Sequence, residues 1–331
     1  MRIGVIGAGS WGTALAHHLG EKGFAVTLWC REEEVSRAIG EERENPLFLP
    51  GIRLSERITP TTNLKEAISG QDLLVSVVPA QFVRQVWERA ERPEAPVVSA
   101  SKGIEVHTGA LMTQVFEELF GKEWAKKSLA VLSGPSFARE VAQGLPTAVT
   151  MAAWAERTAE TVAVVFHTNR FRVYTQHDPI GVEVGGAVKN IIAIASGVCQ
   201  GLGLGENAKA ALITRGLAEM SRLGVRLGAD PITFMGLAGV GDLVLTCSGD
   251  LSRNRQVGIR LGKGEPLEEI LESMSMVAEG VATTKAVVAL SQRLQVEMPI
   301  AHALARILFE GDSPLLVMEE LLSRAPKKEF S

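Results

Sequence analysis

One lysine stands where its surroundings should exclude it. In the stretch VEVGGAVKNIIAIASG, Val182 to Gly197, nearly every position is small or apolar, as in a helix buried all round, yet Lys189 lies near the middle with Asn190 beside it. An ammonium withdrawn from water must be paired, hydrogen-bonded or allowed to lose its proton. Loss of hydration pulls a lysine pKa below its reference of about 10.4, toward proton exchange near neutral pH. Such a group can protonate a carbonyl oxygen as hydride reaches the carbon, and take the proton back in the reverse direction, help worth about 10²- to 10⁴-fold in rate. At about 100° per residue, Gly185, Gly186, Ala193 and Ser196 fall on or beside the face of Lys189, so the periodicity predicts room for a ligand there. Glu183 falls well around the helix and is a poor partner. The plainer alternative is a lysine that snorkels to water or pairs with a carboxylate from another helix.

Other segments could complete such a site. Ala238-Gly239-Val240-Gly241-Asp242 sets a carboxylate after glycines, where it would orient Lys189, hold a substrate hydroxyl or cap a helix. Ser248-Gly249-Asp250-Leu251-Ser252-Arg253-Asn254-Arg255 precedes a helical pattern, and its hydroxyl, amide, guanidinium and backbone N–H groups suit either a phosphate monoester or a solvated, capped helix. Ser99-Ala100-Ser101-Lys102-Gly103 and Ser133-Gly134-Pro135-Ser136-Phe137-Ala138 each follow an apolar strand, which puts both at the carboxyl ends of a sheet, where ligands bind in open α/β folds. Lys102 is a second cation on that rim, or else a surface lysine in a loop.

At the chain start, Gly7-Ala8-Gly9-Ser10-Trp11-Gly12 matches GxGxxG between a strand and a helix. Gly7 would allow the tight turn, Gly9 the approach of backbone amides to a pyrophosphate, and Gly12 the close packing of helix on strand. The second strand then ends in Arg31, where an NAD-selective site commonly carries an acidic residue. That arginine pairs with the 2′-phosphate of NADP(H), or it is solvated beside Glu32 to Glu34, and NAD and NADP both stay open. His177 adjoins Asp178, but neighbouring side chains point apart, and Asp178-Pro179 reads as a helix N-cap with proline in the first turn.

The elements that must carry these groups follow from patterning. RIGVI, AVTLW, LLVSVV, VVSAS, LAVLS, TAVTM and FRVYT are β-branched runs, separated by helical patterns over residues 12–22, 81–89, 110–120 and 155–166. Such alternation predicts an α/β, Rossmann-type, doubly wound and mostly parallel sheet over residues 1–177. From 178 to 331 long helical patterns and glycine-rich loops predict an all-helical second domain. With 331 residues, two cores are expected. A net charge of −4 gives no bulk attraction to nucleic acid. Cys30, Cys199 and Cys247 lack disulfide or metal-ligand spacing, so no metal is implied and a cytoplasmic setting fits. No uncharged run is long enough for membrane insertion.

Over essentially its whole length the chain resembles the bacterial NAD(P)-dependent glycerol-3-phosphate dehydrogenases. GAGSWGTALA, SASKGIE, LSGPSFAREVA, GGAVKNIIAIASGVCQGLGLGENAKAALITRG, LAGVGDLVLTCSGDLSRNRQVG and MVAEGV carry the likeness, the run around Lys189 most specifically. The resemblance implies a small-molecule substrate, dihydroxyacetone phosphate or sn-glycerol 3-phosphate, interconverted with NADPH or NADH for glycerophospholipid synthesis. It further implies a helical domain like that of 6-phosphogluconate dehydrogenase, and admits a homodimer. By the same resemblance Lys189 looks like the general acid-base residue, and Lys102, Gly134, Ser136, Asp242, Ser252, Arg253 and Asn254 look like substrate contacts. Ser10, Trp11, Arg31, Lys102, Ala138, Arg253, Val277 and Glu279 resemble cofactor contacts, and Asn190 and Thr246 match positions that shape the pocket.

Overall fold

The computed structural model describes residues 1–274 and 278–323. Eight strands form one sheet: β1 (Arg2–Ile6), β2 (Ala25–Trp29), β3 (Ile58–Thr61), β4 (Leu73–Ser76), β5 (Val97–Ser99), β6 (Leu129–Ser133), β7 (Thr147–Ala153) and β8 (Phe171–Gln176). Their order is β3-β2-β1-β4-β5-β6-β7-β8, the doubly wound arrangement with its switch point beside β1. β1 and β4 to β6 are buried along nearly their whole length, as central strands covered on both faces must be.

Two features differ from the sequence expectation. β3 was not anticipated, because ITPT is short and carries Pro60; proline removes a ladder donor, which an edge strand paired only to β2 tolerates. β7 pairs antiparallel to β6, and β8 then runs parallel to β7. The connection over residues 134–146 holds only the five-residue helix Ala138–Ala142, so the chain returns from the same end of the sheet at which it left. Helices otherwise start within one or two residues of expectation, as at Ser10–Glu21, Met112–Phe120 and Glu156–Phe166.

Beyond β8 the described elements are helical, and they assemble around the central helix Pro179–Gly201. Asp178 caps it, accepting from the Gly181 N–H at 2.9 Å, with Pro179 in the first turn. By length and composition this helix could cross a membrane, but here its apolar stretch is entirely buried inside the protein. Helices Gly205–Arg226, Arg253–Gly262 and Glu279–Leu294 pack around it. Contact with Arg253–Gly262 is backbone to backbone: a Cβ on Gly197 would lie 2.1 Å from the Arg255 carbonyl oxygen, and one on Gly258 1.9 Å from that of Ile194.

Candidate active site

The glycine turn after β1 has the geometry that GxGxxG requires. Gly7 adopts φ +118°, where a side chain would be strained, and a Cβ on Gly12 would lie 1.8 Å from the Gly7 carbonyl oxygen. A Cβ on Gly9 would meet nothing within 4 Å, so the backbone there borders open space at the N-terminus of Ser10–Glu21, as a pyrophosphate cradle must. Behind the turn lies a support that no motif indicated. Asn45 Nδ2 donates to the Ala8 carbonyl at 2.9 Å and to Thr13 Oγ1 at 2.8 Å, and both Asn45 and Thr13 are buried. A polar Thr13 inside the otherwise apolar run Trp11 to Ala16 was the available signal; Asn45 sits in an irregular stretch that offers none. Ser10 Oγ donates to the Phe48 carbonyl at 2.6 Å. The Trp11 indole N–H is buried without a partner among the described residues, a spare donor at the turn. Arg31 is exposed just past β2, and Ala138 opens its helix against the same core as the glycine turn.

At the carboxyl ends of β5 and β6 the SASKG and SGPSF loops meet the central helix. Lys102 Nζ donates to the Gly134 carbonyl at 3.2 Å, and Ser136 Oγ donates to the same oxygen at 2.9 Å. A Cβ on Gly186 would lie 2.8 Å from Ser133 Oγ and 3.5 Å from Lys102 Cγ, so this glycine seats the stem of Lys102. The small face around Lys189 is therefore filled by protein: Lys102 and Ser133 lie against Gly186, and the Ala238 backbone lies against Gly185. Ser196 is fully buried, donating to the Cys247 carbonyl at 3.1 Å. Close packing, rather than ligand space, accounts for these small residues.

Lys189 itself is buried, 7% exposed, and its partners come from the second half of the chain. Leu237–Gly241 winds as a π-helical turn, in which the Gly241 N–H reaches back to the Gly236 carbonyl at 3.2 Å, and not as the glycine-rich loop expected. Asp242 opens the following helix, Asp242–Ser248, and its carboxylate caps no backbone group there. Instead Oδ1 accepts from Lys189 Nζ at 2.5 Å and Oδ2 from Lys102 Nζ at 2.8 Å. One turn on, Thr246 Oγ1 accepts from Lys189 Nζ at 2.9 Å and donates to the Asp242 carbonyl at 2.6 Å. Asn190 is buried, with its amide 3.5 Å from the Gly186 carbonyl.

Burial brings the Lys189 pKa down to about 8; Asp242 opposes this and Lys102 adds to it. Burial alone would push the Asp242 pKa up, but the two ammonium groups outweigh it and hold the carboxyl below its ordinary value. An ammonium carries three N–H donors. Two of those on Lys189 are engaged, by Asp242 and Thr246.

The phosphate-loop residues divide. Ser252 caps the helix Arg253–Gly262, its hydroxyl accepting from the Arg255 N–H at 3.3 Å, and Asn254 Oδ1 accepts from the Gly280 N–H at 3.0 Å. Both side chains thus shape the loop before any ligand arrives. Arg253 is exposed, and its charge acts on Glu279, half-buried at the start of the helix Glu279–Leu294. Burial pushes the Glu279 pKa up to about 7, against Arg253, a donated Ala80 N–H, Lys102 and Lys189; the next residue, Gly280, lies against the Asn254 side chain and the Asn190 carbonyl. Val277 lies outside the described residues.

Family models for the NAD-dependent glycerol-3-phosphate dehydrogenase N-terminus and C-terminus match residues 2–159 and 178–319. The chain belongs to this family. It is 54% identical to a glycerol-3-phosphate dehydrogenase [NAD(P)+] of Citrifermentans bemidjiense, over 99% of this chain and 98% of that protein. A crystal structure of glycerol-3-phosphate dehydrogenase from Coxiella burnetii superposes with a TM-score of 0.93 at 40% identity, covering 98% of this chain and 99% of that one. The yeast glycerol-3-phosphate dehydrogenase structure from Saccharomyces cerevisiae is more distant, at TM-score 0.82 and 27% identity over 98% and 99% of the two chains. As a family member the chain is an NAD(P)-dependent oxidoreductase, and its glycine turn fits that cofactor.

Proposed function

We propose that this chain interconverts dihydroxyacetone phosphate and sn-glycerol 3-phosphate with NADPH or NADH, for glycerophospholipid synthesis, with Lys189 as general acid and base. The observation that carries the proposal is the Asp242 carboxylate held between the Lys102 and Lys189 ammonium groups, with burial drawing the Lys189 pKa down to about 8. Residues 1–177 bind the dinucleotide in this reading, and residues 178–331 hold the substrate. Gly7, Gly9, Ser10, Trp11, Gly12 and Ala138 would receive the pyrophosphate and nicotinamide side, Arg31 the ribose, and Glu279, with Val277 by the resemblance alone, would complete the cofactor contacts.

Bound NAD(P)H supplies the hydride to C2 of the ketone. Lys189, as ammonium, donates a proton to the C2 oxygen as negative charge grows there, and Asp242 and Thr246 keep the amine aimed while that charge develops. Lys102 adds a second positive charge on the same oxygen's side, with Gly134 and Ser136 fixing its position. Arg253, flanked by Ser252 and Asn254, anchors the phosphate so that C2 lies opposite Lys189. In the reverse direction the Lys189 amine takes the hydroxyl proton. Cytoplasmic location and homodimeric assembly complete the reading; light scattering at the mass of a single chain overturns the second.

A spectrophotometric assay with NADPH and with NADH tests the reaction. Oxidation of either nucleotide is expected with dihydroxyacetone phosphate. Strong turnover of a carboxylate ketone such as 2-dehydropantoate, with none of dihydroxyacetone phosphate, overturns the assignment.

A further inference from the structure

Lys189 Nζ and the Asp242 carboxylate meet at 2.5 Å although 53 residues separate them along the chain. Their contact has a neighbour one helical turn earlier on both sides. Gly185 precedes Lys189 by four residues and Ala238 precedes Asp242 by four, and these two positions touch backbone to backbone. A Cβ built on Gly185 would lie 2.3 Å from the Ala238 carbonyl oxygen, 3.1 Å from the Ala238 carbonyl carbon and 3.6 Å from the Gly239 Cα. The π-turn can approach the central helix this closely only because position 185 has no side chain. Asp242 is tied directly to that turn, since its N–H donates to the Leu237 carbonyl. Ala238 is itself buried in a small apolar cluster with Val131, Ala152 and Val182.

We propose that Gly185 is a positioning residue for the reaction: its close contact with the Ala238 backbone sets the register of the π-turn, and through it the distance between Asp242 and Lys189. This rests on the reading of Lys189 as general acid. A methyl group at 185 pushes the turn outward and carries Asp242 away from the ammonium, while Arg253 and its phosphate site stay attached to the central helix at Gly197. Misplacement on the order of 1 Å costs about 10²-fold in rate.

The test compares Gly185→Ala, Ala238→Gly and Gly216→Ala with the unchanged enzyme. Gly216 faces the Ile192 side chain on the same central helix, so its variant crowds that helix away from Asp242. For each, kcat and KM for dihydroxyacetone phosphate are measured against pH, and the Lys189 pKa is read by competitive labelling with acetic anhydride and mass spectrometry, which needs no turnover. Gly185→Ala is expected to lower kcat by about 10- to 10²-fold with KM within about twofold. Its labelling midpoint and the alkaline fall of kcat should move to lower pH, because Asp242 raises the Lys189 pKa. Ala238→Gly, which removes a methyl and creates no clash, should shift both in the same direction by less, and Gly216→Ala should leave both in place. A Gly185→Ala midpoint equal to that of the unchanged enzyme overturns the proposal; if that variant does not fold, an unshifted Ala238→Gly does so. Absence of dihydroxyacetone phosphate turnover in the unchanged enzyme overturns the functional reading alone, and the labelling midpoints still decide the role of Gly185.

Discussion

Glu183 and Lys189 are two buried ionisable side chains on one helix, and their surroundings differ in a way that separates structure from chemistry. Glu183 accepts from the Thr113 N–H at 2.9 Å and from Thr113 Oγ1 at 2.5 Å, neutral donors that let it tie the start of Met112–Phe120 to the central helix. Burial pushes its pKa up to about 8, against those donations. Lys189 meets a carboxylate that is itself shared with a second ammonium, and it retains an N–H beyond its two bonds. A buried ionisable group whose bonding is complete holds elements together; one with a spare donor can act on a ligand.

The largest effect that could break this contrast is loss of the amine. Lys189→Met should lower kcat for dihydroxyacetone phosphate reduction by about 10³-fold or more while NADPH binding, followed by fluorescence, stays within about twofold. Unchanged turnover removes Lys189 from the mechanism. Asp242→Asn comes next, because breaking a buried ion pair costs about 3–5 kcal/mol and leaves two ammonium groups facing an amide. Its kcat should fall about 10²-fold, and the alkaline limb of the reduction should move to lower pH. With Lys189 as the proposed acid and base, reduction by the unchanged enzyme draws on the ammonium, so kcat should fall as pH rises through about 8, whereas oxidation draws on the free amine and should rise through the same range. Lys102→Met sharpens the comparison by reversing the sign: removing a like charge raises the Lys189 pKa, so the limb should move to higher pH as kcat/KM falls about 10- to 10²-fold. A limb that moves the same way in both variants contradicts the shared-carboxylate account.

What the sequence revealed of this site depended on how local each signal was. Gly7, Gly9 and Gly12 act within one turn of chain, and their spacing alone specified the geometry that the structure has. The Asp178 cap was legible for the same reason. Asp242 was ambiguous because a cap and an ion pair look alike after glycine, and the choice depended on a π-turn that no apolar period announces. The small residues around Lys189 were misread as ligand space, since periodicity shows that a position is small and not what lies against it; the Ala238 carbonyl and the Lys102 stem come from distant segments. Asn45 supports the glycine turn across more than thirty residues of chain, and β3 carries a proline that hides an edge strand.

The smallest predicted change in activity falls on Glu183. Glu183→Gln keeps an oxygen for the Thr113 N–H, while its amide can donate to Thr113 Oγ1, so turnover at pH 7 should stay within about twofold. Stability against pH should differ more. A carboxyl whose folded pKa is raised from 4.5 to about 8 contributes stability that is fully present below the unfolded value and is lost as pH rises through the folded one. Glutamine does not titrate, so the Tm of the variant should decline less than that of the unchanged enzyme between pH 5 and about 8.5, a window set by those two pKa values. Parallel melting curves would mean that Glu183 is ionised in the folded state. A tenfold loss of turnover would instead place Glu183 with Lys189 among the groups that serve the reaction, and the distinction between the two buried ionisable groups would fail.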